Sequence, residues 1–234
     1  MIESEKTYLP AAGHDWLLPL YDPLVRLLGG DTARKAILEQ AAVRPGRRVL
    51  DIGCGTGTLA TLIKRLHRDV DVVGLDPDPK ALACARRKAE RLALPIRLDL
   101  GFSHELPYPE ASFDRVFSTF MFHHLLPDNR EATLCEVRRV LTPGGSFHML
   151  DFLGAQENSR GLLARYFESS RRLKDNSVER VLILLNRAGF VSSEKVLEGA
   201  ILFGLLPIAY YRASADASSG SQKSPVTGQV FSPV

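Results

Sequence analysis

The chain of 234 residues has few cysteines and no long apolar run. Its three cysteines, Cys54, Cys84 and Cys135, have neither the spacing of a zinc site nor the even number of a disulfide framework. The apolar-rich segment 200–211 contains glycine and proline and is too short to cross a bilayer. The amino terminus does not resemble a secretory signal. We therefore expect a cytoplasmic protein with no membrane span and no metal site.

A large excess of either sign of charge is also absent. The 30 Lys and Arg residues against 27 Asp and Glu residues give a net charge of +3, and the basic residues are dispersed in pairs. A continuous basic track for nucleic acid is not indicated, so we expect no nucleic-acid partner. At this length a single domain with appendages is expected.

The most informative segment that is present is 49–60, VLDIGCGTGTLA, an apolar strand running into a glycine-rich turn and then a helix. Glycines let backbone N–H groups approach a ligand, and a helix N-terminus offers unpaired donors. A dinucleotide fingerprint is G-x-G-x-x-G, whereas this turn is G-x-G-x-G with Thr58 in the last position. Asp51 would repel a pyrophosphate. The segment therefore favours a nucleotide-like cofactor that carries positive charge.

This segment closely resembles the first motif of the class I S-adenosylmethionine-dependent methyltransferases. The segment R-V-L-T-P-G-G at 139–145 and the strand F-D-R-V at 113–116, with H-H-L at 123–125, are also similar to that family, notably to its UbiE-like small-molecule (type 11) group. The resemblance covers about 43–196. It implies S-adenosylmethionine as methyl donor, S-adenosylhomocysteine as product, and a small-molecule acceptor. The aromatic residues Phe203, Tyr210 and Tyr211 suggest that this acceptor is apolar or aromatic.

The pattern of short apolar runs and longer amphipathic segments after residue 47 is typical of a parallel sheet covered by helices. We predict an α/β fold, a Rossmann-like doubly wound sheet of seven strands, mostly parallel with the last strand antiparallel, and helices on both faces. The strands are expected at 47–52, 70–75, 96–100, 115–119, 146–152, 191–197 and 200–211. The helices are expected at 32–42, 57–67, 79–93, 128–141 and 178–188. A turn at 142–145 is expected to precede the fifth strand.

Four regions are expected along the chain. Residues 47–212 would form the methyltransferase domain, with 1–46 as a helical lid, 153–176 as a possible substrate cap and 213–234 as a disordered tail. For the aromatic candidates in the lid and the last strand, core packing is the competing role. The candidates for substrate or lid contacts are Tyr8, His14, Tyr21, Phe203 and Tyr210.

The resemblance places the cofactor outside the carboxyl ends of the strands. Asp76, at the end of the second strand, is expected to accept the ribose hydroxyls, and Pro77 to line the adenine. Where the family has Gly-Asp-Ala, this chain has G-F-S at 101–103, so Phe102 replaces the usual acidic contact to the adenine amino group. The expected cofactor-binding residues are Asp51, Gly53, Cys54, Gly55, Gly57, Asp76, Pro77, Phe102, Ser103, Ser118 and Thr119.

His123 and His124 are candidates for a general base, because imidazole can take a proton from a hydroxyl or amine at neutral pH. A structural role is the other interpretation, and a nucleophilic acceptor needs little base. Other functions stay open: RNA or protein methylation, a non-catalytic cofactor-binding relative, and, least favoured, an NAD-linked oxidoreductase. The acceptor and the oligomeric state are not predicted.

Overall fold

Helices and strands alternate in the computed structural model, which describes residues 29–154, 176–202 and 204–216. The helices are α1 (Gly30–Ala41), α2 (Thr58–Leu66), α3 (Pro79–Arg91), α4 (Pro127–Val140) and α5 (Val178–Arg187), with a short 3₁₀ helix at Phe122–His124. The strands are β1 (Arg48–Ile52), β2 (Asp71–Asp76), β3 (Arg97–Leu100), β4 (Phe113–Thr119), β5 (Leu141–Phe152), β6 (Ser192–Ile201) and β7 (Leu206–Ser214).

The seven strands form one sheet in the order β3-β2-β1-β4-β5-β7-β6. Strands β1 to β5 are parallel, and β7 runs antiparallel to both of its neighbours. Ile52 pairs with Leu75 on one side and Ser118 on the other, so the carboxyl ends of β1, β2 and β4 are adjacent. The predicted doubly wound sheet is confirmed. Its strand order changes direction beside β1, where ligands bind in such folds.

Both faces of the sheet are covered. On one face, Leu50 and Ile52 of β1 belong to a core that includes α4 and α5; on the other, Val49 belongs to a core with α1 and α2. The alternation along β1 follows the two-residue period of a strand. Asp78 begins α3 as predicted, because its carboxylate accepts the backbone N–H of Lys80 at 2.8 Å.

The fifth strand differs from the prediction. Segment 142–145 is not a turn before β5 but an irregularity inside it, since Leu141 already pairs with Phe113 and pairing resumes at Ser146 opposite Arg115. Gly144 adopts a φ of 74°, which permits the extra residues to bulge.

Helix α1 lies within the region expected to form a lid, and it buries Ala33, Ile37 and Leu38 in the core against the sheet. Strand β7 continues past 212 to Ser214. The rest of the expected lid, most of the possible cap and most of the expected tail lie outside the described residues, as do Tyr8, His14, Tyr21 and Phe203. No helix in the described ranges is long and apolar enough to cross a membrane.

Candidate functional site

The glycine-rich turn links β1 to α2 at the carboxyl edge of the sheet. Gly53, Gly55 and Gly57 all have positive φ, at 64°, 54° and 74°. A Cβ on Gly53 would lie 2.2 Å from the Cγ of Met121, and one on Gly57 would lie 2.9 Å from the Cβ of Ala85. Around Gly55 no heavy atom of the described chain lies within 4 Å of such a Cβ, so this side of the turn is open. The turn therefore presents its backbone to a ligand.

Asp76 ends β2 and fixes the turn from the side. Its carboxylate accepts the backbone N–H of Gly55 at 2.8 Å and that of Asp78 at 2.9 Å. Burial raises the pKa of Asp76 to about 6, although these two hydrogen bonds oppose the rise. The side chain predicted to accept the ribose hydroxyls thus also holds Gly55 in place, and its oxygens have further lone pairs.

Asp51 lies two residues before the turn and is buried. Neither of its carboxylate oxygens has a hydrogen-bond partner among the described residues. Burial raises the pKa of Asp51 to about 7, and the nearby Asp76 carboxylate adds to the rise, while the Arg34 guanidinium and the backbone N–H of Ala60 act against it. An orphaned, buried carboxylate carries a large desolvation penalty unless a ligand satisfies it. The chemistry of this carboxylate suits a cationic or N–H donor group.

A cleft of about 560 Å³ lies beside the ends of β2 and β3. It contains the predicted adenine contacts Pro77 and Phe102, whose ring lies 5.4 Å from that of His104. The hydroxyl of Ser103 bonds to that of Thr133 at 2.9 Å, and the contact predicted for Ser103 with the base is one of its backbone. The residues lining the cleft are Pro77, Leu100, Gly101, Phe102, Glu105, Leu106 and Pro107.

The end of β4 forms the next part of this edge. Ser118 is buried, and its hydroxyl has no partner among the residues that the structure describes; Thr119 ends the strand. Phe120 follows with a φ of 54°, a conformation that strains an aromatic residue and is common at functional sites. Its ring packs 5.1 Å from that of Phe152 at the end of β5. Two aromatic side chains therefore stand together at this edge.

His123 lies beside this aromatic pair. Its Nδ1 is 2.6 Å from Oδ1 of Asp151, and its backbone N–H donates to Oδ2 of the same carboxylate at 2.8 Å. The fully buried Asp151 also accepts the N–H of Phe152 at 2.7 Å. Because a carboxylate only accepts, Nδ1 carries the hydrogen and Nε2 of His123 is left as an acceptor. The pair has the composition of an oriented general base.

Two residues that were predicted to contact the substrate or the cofactor, Tyr210 and Cys54, are buried. Tyr210 is buried in the core with Ile208, where burial raises its pKa to about 12, so the structure gives it the competing packing role. The buried thiol of Cys54 lies beside the carboxylates of Asp51 and Asp76, and burial raises its pKa well above the usual value. It is therefore an inert thiol at neutral pH.

Four residues at this edge were not predicted: Arg34, Glu105, Phe120 and Asp151. Arg34 had a detectable signal, since it is a cation on the apolar stripe of α1 with Ala33, Ile37 and Leu38. Asp151 is likewise a charge within the apolar strand β5. Phe120 had none, because its positive φ follows from packing. No group of three or more His, Cys, Asp or Glu side chains within the described part of the chain could hold a metal ion.

Comparisons with known proteins agree with this geometry. A family model described as a methyltransferase domain matches residues 49–145. A demethylmenaquinone methyltransferase from Thermus thermophilus is 38% identical over 156 residues, which are 65% of this chain and 70% of that relative. The chain belongs to the class I S-adenosylmethionine-dependent methyltransferases. Its cofactor is S-adenosylmethionine.

Other relatives extend the comparison for this methyltransferase. A second demethylmenaquinone methyltransferase, from Deinococcus radiodurans, is 41% identical over 58% of this chain and 57% of its own length. Among solved structures, the Haemonchus contortus phosphoethanolamine N-methyltransferase 2 has a TM-score of 0.74 at 18% identity, covering 87% of this chain and 58% of that one. A methyltransferase from Aquifex aeolicus has a TM-score of 0.65 at 19% identity and covers 86% of this chain and 98% of that one. These structures share the fold.

Proposed function

We propose that the methyltransferase holds S-adenosylmethionine across the carboxyl ends of β1, β2 and β4. The orphaned carboxylate of Asp51 matches the α-ammonium group of the cofactor, and the open side of Gly55 offers backbone to it. Asp76 and the cleft containing Phe102 follow in the order in which ribose and adenine would extend. The residues therefore fit the group, and the predicted set of cofactor-binding residues is retained as a proposal.

The adenine end would be recognised by a changed set of contacts. Phe102 offers its ring face, and aromatic stacking on a base is worth about 1–3 kcal/mol. Glu105 is the acidic residue among those that line the same cleft. We propose that its carboxylate takes the amino group of adenine, the role that an acidic residue at position 102 has in the family pattern.

For the acceptor, we propose an apolar small molecule with an acidic hydroxyl, such as a phenol or a hydroquinone. The observation that carries this proposal is the His123–Asp151 pair beside Phe120 and Phe152. An aromatic ring can pack on Phe152, which is partly exposed, is backed by the buried Phe120 and lies 5.1 Å from His123 between ring centroids. The acceptor's hydroxyl would then lie close to the base.

The protein's part in the reaction is to position the acceptor and to remove its proton. When bound, S-adenosylmethionine supplies an electrophilic methyl group. His123 would take the hydroxyl proton at Nε2, while Asp151 keeps Nδ1 protonated and stabilises the imidazolium that forms. The resulting phenolate is nucleophilic at oxygen and at its ortho carbon. The apolar side chains of Phe120 and Phe152 keep water away from the reacting groups.

The names of relatives support this class of acceptor. The two relatives described above are demethylmenaquinone methyltransferases, and a 27-O-demethylrifamycin SV methyltransferase from Amycolatopsis mediterranei is 38% identical over 47% of this chain and 40% of its own length. These names favour a small molecule over RNA or protein. The same sheet would position the reacting groups for a small molecule, an RNA or a protein, so substrate assays decide among these three classes of acceptor.

The experiment compares wild type with His123→Ala, and with His124→Ala as the neighbouring control. Acceptors are phenols, hydroquinones, primary amines and total RNA. We expect methylation of the phenols or hydroquinones, with kcat lowered roughly 10²–10⁴-fold by His123→Ala and little changed by His124→Ala. The affinity for S-adenosylhomocysteine, measured by calorimetry, should stay within about twofold, because the base acts on the acceptor.

Two results would contradict the proposal. One is methylation of RNA or amines with no turnover of the hydroxyl compounds. The other is a His123→Ala variant that keeps full kcat on phenols, or that loses cofactor affinity and kcat by the same factor, since either would remove His123 from proton transfer.

A further inference from the structure

Arg34 is a buried cation on the apolar side of α1. Arg34 is 6% exposed, and its Nε has no hydrogen-bond partner among the described residues. The carboxylate nearest in sequence is that of Asp31, whose Oδ1 is 3.9 Å from Nη1 and which is itself 40% exposed at the side chain. A guanidinium held in the core without a full set of acceptors is costly. Such a group is expected to have a ligand.

The surroundings of Arg34 identify the place where that ligand would lie. The guanidinium carbon is 5.7 Å from the centre of the Phe120 ring, which is the strained residue at the end of β4. Its charge also acts on Asp51 at the end of β1. Because β1 and β4 are paired neighbours, Arg34 and Asp51 belong to the same edge as the glycine-rich turn. Buried charges of opposite sign therefore stand close together at this edge.

We propose that Arg34 binds the α-carboxylate of the cofactor's methionine moiety, next to Asp51, which binds the α-ammonium group. An amino-acid end is a zwitterion, and a buried arginine beside a buried aspartate has the complementary pair of charges. Arginine also matches a carboxylate with two parallel N–H donors. The inference rests on the proposed placement of the methionine moiety beside Asp51. It makes Arg34 a positioning residue, which fixes the end of the cofactor that carries the sulfonium.

The test compares two ligands by calorimetry: S-adenosylhomocysteine and its decarboxylated analogue, which keeps the amino group and lacks the carboxylate. The variant is Arg34→Met, and Lys35→Met is the control, because Lys35 is an exposed cation on the same helix. Measurements are made at pH 8.5. Removing Arg34 takes away a cation that lowers the pKa of Asp51, and this pH keeps that carboxylate ionised.

We expect Arg34→Met to weaken the binding of S-adenosylhomocysteine roughly 10- to 100-fold, as for a lost charge-assisted contact. The decarboxylated analogue should change by less than about threefold, and Lys35→Met should change neither ligand. Equal weakening of both ligands would overturn the proposal, because Arg34 would then act through Asp51 or through the fold. An unchanged affinity for S-adenosylhomocysteine would overturn it as well, and would point to a role toward the acceptor.

Two further variants keep the result interpretable. Asp51→Asn should weaken both ligands, since both retain the amino group; if it weakens neither, the placement of the methionine moiety fails, whatever Arg34 does. If Arg34→Met lowers the melting temperature too far for calorimetry, Arg34→Lys is measured with the same two ligands. It should weaken S-adenosylhomocysteine alone, and an equal effect on both ligands would again reject the proposal.

Discussion

Replacing Asp51 by asparagine should stabilise the protein without its cofactor and weaken cofactor binding. Burial raises the pKa of Asp51 from 3.8 to about 7, so the folded state favours the protonated carboxyl. The stability that this preference contributes is present below pH 3.8 and is lost as the pH rises to about 7. At about 1.4 kcal/mol per pH unit, ionised Asp51 lowers the free energy of unfolding at pH 8 by about 4 kcal/mol.

Asparagine has nearly the same shape and no charge. Its buried amide, left without partners, costs about 1–3 kcal/mol, so the variant should exceed wild type at pH 8 by about 1–3 kcal/mol. For a chain of this length, each kcal/mol moves the melting temperature by about 2–4 °C. At pH 5 the carboxylate penalty falls to about 2 kcal/mol, and the two proteins should then have similar stability.

The assay is thermal unfolding at pH 5 and pH 8, with and without S-adenosylhomocysteine. The exposed surface residue Asp71, paired with Arg48, provides the control: Asp71→Asn should change stability by at most about 1 kcal/mol. His148, whose pKa is lowered by burial, alters the pH dependence of both proteins equally and cancels in the difference. Two results would refute the reasoning. One is an Asp51→Asn variant that is less stable than wild type at pH 8. The other is a variant that S-adenosylhomocysteine stabilises as much as it stabilises wild type.

The other expectations concern the turn and the adenine cleft. Gly55→Ala should cost about 1–2 kcal/mol of unfolding free energy for its positive φ, and Gly53→Ala roughly twice that or more, because its Cβ would also displace Met121; equal losses in denaturant unfolding would contradict this. Phe102→Asp should weaken S-adenosylhomocysteine roughly tenfold in calorimetry through lost stacking on adenine. Tighter binding by that variant would show that Phe102 is a degenerate site.

The local sequence predicted most of the fold, because its signals lie within short segments. The turn at 53–57, the cap at Asp78 and the alternation of apolar runs depend only on nearby residues, and they predicted the order and type of the elements. The edge strands were less accurate. β6 is exposed along nearly all of its length, so its side chains show no alternating pattern, and β6 and β7 differ by several residues from the predicted ranges.

The residues of the site also fall into those that local sequence predicted and those that only the tertiary structure brought together. Sequence by itself determined the cofactor class, since Asp51, the glycines and Asp76 are set by motif spacing along two consecutive strands. Only the tertiary structure brought Asp151 to His123, 28 positions apart on different elements, and thereby left Nε2 of that histidine as the acceptor nitrogen. It likewise brought Arg34 of α1 to the edge that holds Asp51. These pairings depend on strand register and helix packing, which are long-range properties that no local pattern records.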